Sequence, residues 1–385
     1  MKYLATKAVS EFKCLLGDCP DTCCKGWSMQ LDDTTFAKYK GTELENAVDY
    51  DGSNQEIRVM KRDPKTDYCV KFSDGICKIH EEKGAEMLGD ACNFYPRVTR
   101  KLGDEHVMTA TLSCPEIARL MLFENDATHI TENETDRFPQ TLKNYISEEF
   151  DAAAALKIHQ SFLDACDEDI PAEHLVARIY SASQSLSYIN KNEWKDATAF
   201  MIKMADGKLR PPENDDSGNL YKILQIFSGI IHATGKNRNE RLMEVLGGIE
   251  RALGVKIDWE TLNLAQTDPK AIAKTLENWQ MHKSKYDEIL RHYIKSQLSF
   301  ATFPFAGLGD NLPEKCKIII FRFTLTRLGL MALPHNNLAQ EEIVKIVQSI
   351  SRILDHIGDP KLLLSLFEQS GWTNDAKIRG LLMDS

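Results

Sequence analysis

Phe12-Lys13-Cys14-Leu15-Leu16-Gly17-Asp18-Cys19-Pro20-Asp21-Thr22-Cys23-Cys24-Lys25-Gly26-Trp27 carries four cysteines, two of them adjacent, in a stretch without helical period. Cys69, Cys77, Cys92 and Cys114 follow, so eight of the ten cysteines precede residue 115; only Cys166 and Cys316 lie beyond. Thiolates are strong, soft ligands for zinc and for iron–sulfur clusters, and a segment this rich in them takes its shape from what the thiols hold. The segment therefore reads as an irregular metal-binding unit rather than as packing material.

Working outward, residues 1–124 form an expected cysteine-cluster domain, turn-rich and with short strands. A helix is expected from Asp32, where Asp32 and Asp33 precede Thr34-Thr35-Phe36 as caps. Residues 57–60 and 68–72 have strand character. Ser73-Asp74-Gly75 reads as a tight turn into 76–80, giving a hairpin with Cys69 and Cys77 on opposite arms. Ser113-Cys114-Pro115-Glu116 opens a helix running to about residue 123, with Ser113 as cap, and its dipole is expected to lower the Cys114 pKa.

Residues 125–385 form an expected multi-helix domain. Apolar residues recur at three- and four-residue intervals over 142–166, 172–190, 193–205, 220–233, 238–253, 269–297, 313–333 and 340–357, with a short piece at 360–368. The Pro-, Gly- and Asp-rich stretch 206–219 is the best linker or sub-boundary candidate, and its acidic run 213–216 reads as a solvated loop. The expected fold class is mainly α and not Rossmann-like, because sustained strand–helix alternation is missing. Gly307-Leu308-Gly309-Asp310 lacks the strand context of a cofactor-binding turn and reads as a loop.

With 385 residues, 43% hydrophobic and 27% charged, the chain is an ordinary globular sequence of about two domains. Its net charge of -10 argues against nonspecific binding to nucleic acid or anionic lipid. The sequence shows no signal peptide in Met1-Lys2-Tyr3-Leu4-Ala5-Thr6-Lys7 and no apolar run near the roughly 18 residues of a membrane span. A cytoplasmic protein is expected, with neither nucleic acid nor membrane as partner. Disulfides are rare in that compartment, which strengthens the metal reading.

The order Cys14-x4-Cys19-x3-Cys23-Cys24, with distant Cys69, Cys77, Cys92 and Cys114, suits a four-iron, four-sulfur (4Fe-4S) cluster needing thiolates from several directions. Zinc is the alternative, although the compact paired hooks of structural zinc sites are absent. A thiol or disulfide role is the third. Eight thiols exceed one cluster's need, and adjacent Cys23 and Cys24 are poor partners on one iron. Cys19-x3-Cys23 begins the C-x3-C-x2-C pattern of radical S-adenosylmethionine (SAM) enzymes, but Gly26 stands where the third ligand belongs.

Phe12-Lys13-Cys14, Cys19-Pro20-Asp21-Thr22-Cys23-Cys24-Lys25-Gly26-Trp27, Cys69…Cys77, Cys92-Asn93-Phe94-Tyr95-Pro96-Arg97 and Leu112-Ser113-Cys114-Pro115-Glu116-Ile117-Ala118-Arg119 resemble the flagellin lysine N-methylase family. That family belongs to a group of cysteine-cluster proteins described as zinc- or iron-chelating. The resemblance is dense over 12–120 and looser beyond, at Tyr293, Phe303-Pro304-Phe305 and Arg352…His356. It implies methylation of flagellin lysines with SAM as donor, and an iron–sulfur cluster in the cysteine domain.

Such chemistry needs a neutral lysine amine, a proton acceptor and aromatic faces for a sulfonium. Tyr293 and Tyr95 are catalytic candidates; Trp27, Arg97, Phe303 and Phe305 are candidates for holding the methyl donor, each with core packing as the plain alternative. Arg97 suits either a cluster sulfur or a loop carbonyl. His80 follows Cys77 and reads as a surface residue before a metal ligand; Cys166 and Cys316 read as inert buried thiols. Two further functions fit the cysteines: a metal-braced protein-binding module without catalysis, and an iron–sulfur redox protein.

Overall fold

The structure is a computed structural model that describes all residues except 53, 55, 148, 210–218, 234–238, 336–338, 358–359 and 384–385. The acidic run 213–216 and most of the linker candidate 206–219 lie outside the described residues.

Helices dominate beyond residue 150, as the three- and four-residue spacing dictates. Ala152–Asp164, Ala172–Leu186, Trp194–Met204, Asn219–Ala233 and Glu240–Leu253 follow one another, then Ala271–His282, Asp287–Phe300, Leu312–Met331 and Gln340–Leu354. Two expected helices are shorter or broken. The 142–166 helix begins only at Ala152, where Asp151 accepts the Ala154 N–H. The 269–297 helix is split by a tight turn over Lys283–Tyr286, which leaves Tyr286 buried and bonded to His335 at 2.8 Å.

Leu312–Met331 is the central helix, buried on nearly every face and packed against Ala172–Leu186, Asp287–Phe300 and Gln340–Leu354. Its Arg327 donates to the carbonyls of Leu381, Leu382 and Met383, tying down the end of the chain. Gly329 allows the close approach to Gln340–Leu354: a Cβ there would lie 2.5 Å from Ile346 Cγ2. Gly329→Ala is expected to destabilise the protein by about 1–3 kcal/mol through overpacking, measurable by denaturant unfolding.

The sequence pattern did not disclose the four-stranded sheet, ordered Arg97–Leu102, Glu105–Ala110, Lys2–Thr6, Ile130–Glu134. The first two strands form a hairpin through Gly103, whose φ of 63° favours glycine. Lys2–Thr6 runs parallel to Glu105–Ala110 and antiparallel to Ile130–Glu134. This sheet joins the cysteine-rich segment to the helices, and one large core extends from Ala5 through Cys114 to Leu382. A second, small core of Met29, Leu31, Tyr39, Met60 and Leu88 underlies the cysteine loops.

Local expectations held in outline. Asp32 caps helix Asp33–Tyr39, accepting the Thr35 N–H at 2.8 Å. The hairpin around Ser73-Asp74-Gly75 forms, but Phe72 rather than Cys69 pairs with Cys77. Cys69 instead donates its N–H to the Cys24 carbonyl at 2.8 Å. Helix Pro115–Phe123 is capped by Cys114, not Ser113. Ser113 is drawn instead into side-chain bonds with Tyr95 and His356.

Candidate functional site

Seven of the eight N-terminal cysteines (Cys14, Cys19, Cys23, Cys24, Cys77, Cys92 and Cys114) line one cavity of about 270 Å³; Cys69 is buried behind them. The loops that deliver them are fixed by backbone bonds rather than by long elements: Cys19 N–H to Leu16 O, Cys69 N–H to Cys24 O, Cys92 N–H to Gly89 O. The thiols fall into two sets. Cys24, Cys69, Cys77 and Cys92 pack on the small second core, whereas Cys114 belongs to the large core, with Cys14, Cys19 and Cys23 on the remaining wall. Adjacent Cys23 and Cys24 both line the cavity, but only Cys24 packs on the small core.

The electrostatics bear out this crowding. The Cys23 thiol, opposed by a bond to Cys77 and reinforced by burial, pushes Cys24 up to about 12. Cys92 is pushed up by burial and by the proximity of Cys24, Cys69 and Cys77. Cys114 was expected to be acidified by its helix; burial overrides the N–H groups of Ile117 and Glu116 and raises it to about 12. Clustered buried thiols keep their protons until a cation displaces them, which is the donor set a thiolate-bound metal group requires. Among the described residues, no three His, Cys, Asp or Glu side chains gather tightly enough to enclose a single ion.

A second pocket, about 250 Å³, shares Cys23, Trp27 and Tyr95 with the first and is closed on its other side by Asn239, Arg352, Ile353 and His356. It lies on the seam between the cysteine loops and helix Gln340–Leu354. Asp21 holds that seam: it pairs with Arg352 at 2.5 Å and accepts from Gln348 at 2.8 Å. Arg352 also donates to the carbonyls of Thr22 and Lys25. Trp27 is fixed by its Nε1 donating to the Cys23 carbonyl at 2.6 Å.

Three rings stand in series along this wall: Trp27 to Tyr95 at 5.8 Å, Tyr95 to His356 at 6.5 Å. Tyr95 Oη meets Ser113 Oγ at 3.1 Å, and Ser113 Oγ meets His356 Nε2 at 3.0 Å. Thr111 Oγ1 donates to Asp355 at 2.6 Å and lies 3.0 Å from Ser113 Oγ, from which it can accept. Burial, with Cys114 and Cys23 nearby, holds the Tyr95 phenol well above its usual pKa, so it remains a proton donor at neutral pH.

Trp27 and Tyr95 therefore meet in one pocket, and Arg97 lines the cysteine cavity while donating to the carbonyls of Phe94 and Asn93. His80 also lines that cavity. Phe303 stands in a separate cavity, Phe305 packs edge-on against Phe150, and Tyr293 is buried in its helix with its pKa raised by burial. Cys166 and Cys316 are buried, as expected. Ser113 and Asp21 were not singled out as site residues; a lone serine or aspartate in a loop gives no signal of partners more than 200 residues away. Arg352 and His356 carried one, four residues apart on a helical pattern and so on one face.

Fold and site define a helical protein with a thiol-lined chamber clasped onto its helices and an aromatic pocket on the seam. The chain belongs to the FliB lysine N-methylases, whose C-terminal domain matches residues 116–381. It is 27% identical over 146 residues to the flagellar biosynthetic protein FliU of Salmonella muenchen, covering 36% of this chain and 86% of that protein. It is also 27% identical over 165 residues to the lysine-N-methylases of Salmonella typhimurium and Salmonella choleraesuis. Those alignments cover 40% of this chain and 39% of the curated enzymes' length. No solved structure matches the chain. No helix among the described residues is long and apolar enough to cross a membrane.

Proposed function

We propose that this chain transfers methyl groups from SAM to lysine side chains of flagellin, in the seam pocket, with an iron–sulfur cluster of structural role in the adjoining cysteine chamber. Family membership and the lysine-N-methylase and flagellar relatives support the reaction and substrate. The observation that carries the assignment to this pocket is the ring series Trp27–Tyr95–His356 with a hydrogen-bonded exit through Ser113.

In this reading the Trp27 and Tyr95 faces hold the sulfonium by cation–π attraction. The lysine ammonium gives up its proton with His356, at the edge of the pocket, as the proposed acceptor. The neutral amine then attacks the methyl carbon; the S–CH₃ bond breaks, and its electron pair remains on sulfur as S-adenosylhomocysteine leaves. Tyr95, held protonated, orients Ser113 and through it His356 Nε2.

Cys24, Cys69, Cys77 and Cys92 are the quartet proposed to hold the cluster. A tetrahedral zinc with bonds of about 2.3 Å would draw its sulfurs to about 3.8 Å from one another. Cys24, Cys77 and Cys92 face the 270 Å³ chamber with Cys69 behind them, and among the described residues no three of these thiols close on a single ion, which suits a larger group better. A bound cluster would supply the positive iron that keeps these thiols ionised and cross-links their loops. The proposed activity is tested by incubating anaerobically purified protein with purified flagellin and methyl-labelled SAM. Label in N-methyllysine is expected. No transfer with the metal intact would favour the metal-braced binding module, and turnover tied to reversible cluster reduction would favour a redox protein.

A further inference from the structure

A third cavity, about 160 Å³, lies where strand Arg97–Leu102 meets helices Asp287–Phe300 and Leu312–Met331. Three cations line it, Arg100, Lys315 and Arg322, against one carboxylate, Asp355. Asp355 compensates them only in part: its Oδ2 accepts from Thr111, and its Oδ1 lies 3.3 Å from Arg322 Nη1 as an ion pair but accepts no hydrogen bond among the described residues. Arg100 is more than nine-tenths buried, stacked near the rings of Phe300 and Tyr145 at 5.3 and 5.7 Å.

Burying a guanidinium without a counter-charge is costly. Here the shortage is shared by neighbours. Arg100 Nε and Nη1, Arg322 Nε and Gln297 Nε2 are all buried without an acceptor among the described residues. Four unsatisfied donor atoms on the wall of one cavity exceed what packing alone explains, because buried donors are normally paired. Lys315 has acceptors but no paired carboxylate among the described residues: it donates to the carbonyls of Pro304 and Phe305, and burial lowers it to about 8.

We infer that this cavity binds a small oxyanion, the carboxylate or phosphate group of a compact ligand, gripped by Arg100 with Arg322 and Gln297. The guanidinium fork matches such groups through paired N–H bonds. Phe300, Phe303 and Ile319 line the remaining wall and suit an apolar body behind the charged head. The site is separate from the seam pocket, and its test does not depend on methyl transfer.

Thermal unfolding of the full chain, at constant ionic strength in chloride, acetate or inorganic phosphate, tests the inference. At hundredfold excess over Kd, a bound anion is expected to raise Tm by about 3 °C over chloride in a protein of this size. Arg100→Met should abolish the rise. Phosphate alone giving it identifies a phosphate group as the ligand's head; acetate alone identifies a carboxylate. Neither anion exceeding chloride, or Arg100→Met responding like wild type, overturns the site. Should Arg100→Met fail to fold, equilibrium dialysis of radiolabelled phosphate and acetate against wild type and Gln297→Leu decides: saturable binding weakened by the substitution supports the site, and its absence or indifference overturns it.

Discussion

His356→Ala is expected to lower kcat for lysine methylation by about 10²–10⁴ while leaving KM for SAM nearly unchanged, the range for loss of a positioned proton acceptor. The imidazole lies at the end of helix Gln340–Leu354, at the edge of the seam pocket, and is oriented by Ser113 at 3.0 Å. Ser113 is itself over-determined, by Thr111 at 3.0 Å and Tyr95 at 3.1 Å. Removing the ring leaves Trp27, Tyr95 and the Asp21–Arg352 clasp in place, so donor binding should survive. A purely structural role would instead give parallel losses in kcat and thermal stability. Steady-state kinetics, with thermal unfolding as control, separates the two.

Cys92→Ser should eliminate the cluster's visible absorption and its labile sulfide, and destabilise the cysteine segment by several kcal/mol, as loss of a structural metal group does. Cys92 packs with Cys24, Cys69 and Cys77 on a core of only a few large side chains, too small to hold its loops by burial alone. Serine preserves the volume and removes the soft ligand. Cys14→Ser makes the comparison, since Cys14 is exposed and does not pack on the small core. It should retain iron and sulfide. A Cys92→Ser protein with full iron and sulfide content would remove this quartet from consideration, and zinc without labile sulfide in the wild type would replace the cluster altogether.

The helices were legible because their burial is periodic: Gln340–Leu354 buries Ile343, Ile346, Val347 and Ile350 on one face, and the spacing shows it. Chain breaks were less legible, since the turn at Lys283–Tyr286 continues the apolar rhythm without proline or glycine. The four-stranded sheet was missed for another reason. Its strands are short, and Lys2–Thr6, which joins the hairpin to Ile130–Glu134, is held by partners more than 100 residues away that no local pattern reveals. The cysteine chamber was visible as composition, yet composition could not show Cys24 packed on the small core and its neighbour Cys23 outside it. Nor could it foresee that burial would overrule the helix dipole at Cys114. The seam pocket needed the fold itself: Trp27, Tyr95 and His356 stand far apart in sequence, and the contacts of Asp21, Gln348 and Arg352 across the seam bring them together.

The account turns on that pocket being where the methyl donor sits. Calorimetric titration of SAM into the anaerobic wild-type protein and into Trp27→Ala, with cluster content matched, measures this directly. Loss of the aromatic face should weaken SAM binding at least about 10-fold, the scale of a desolvated cation–π contact. Equal affinity in the two proteins would contradict the placement of the reaction at the seam.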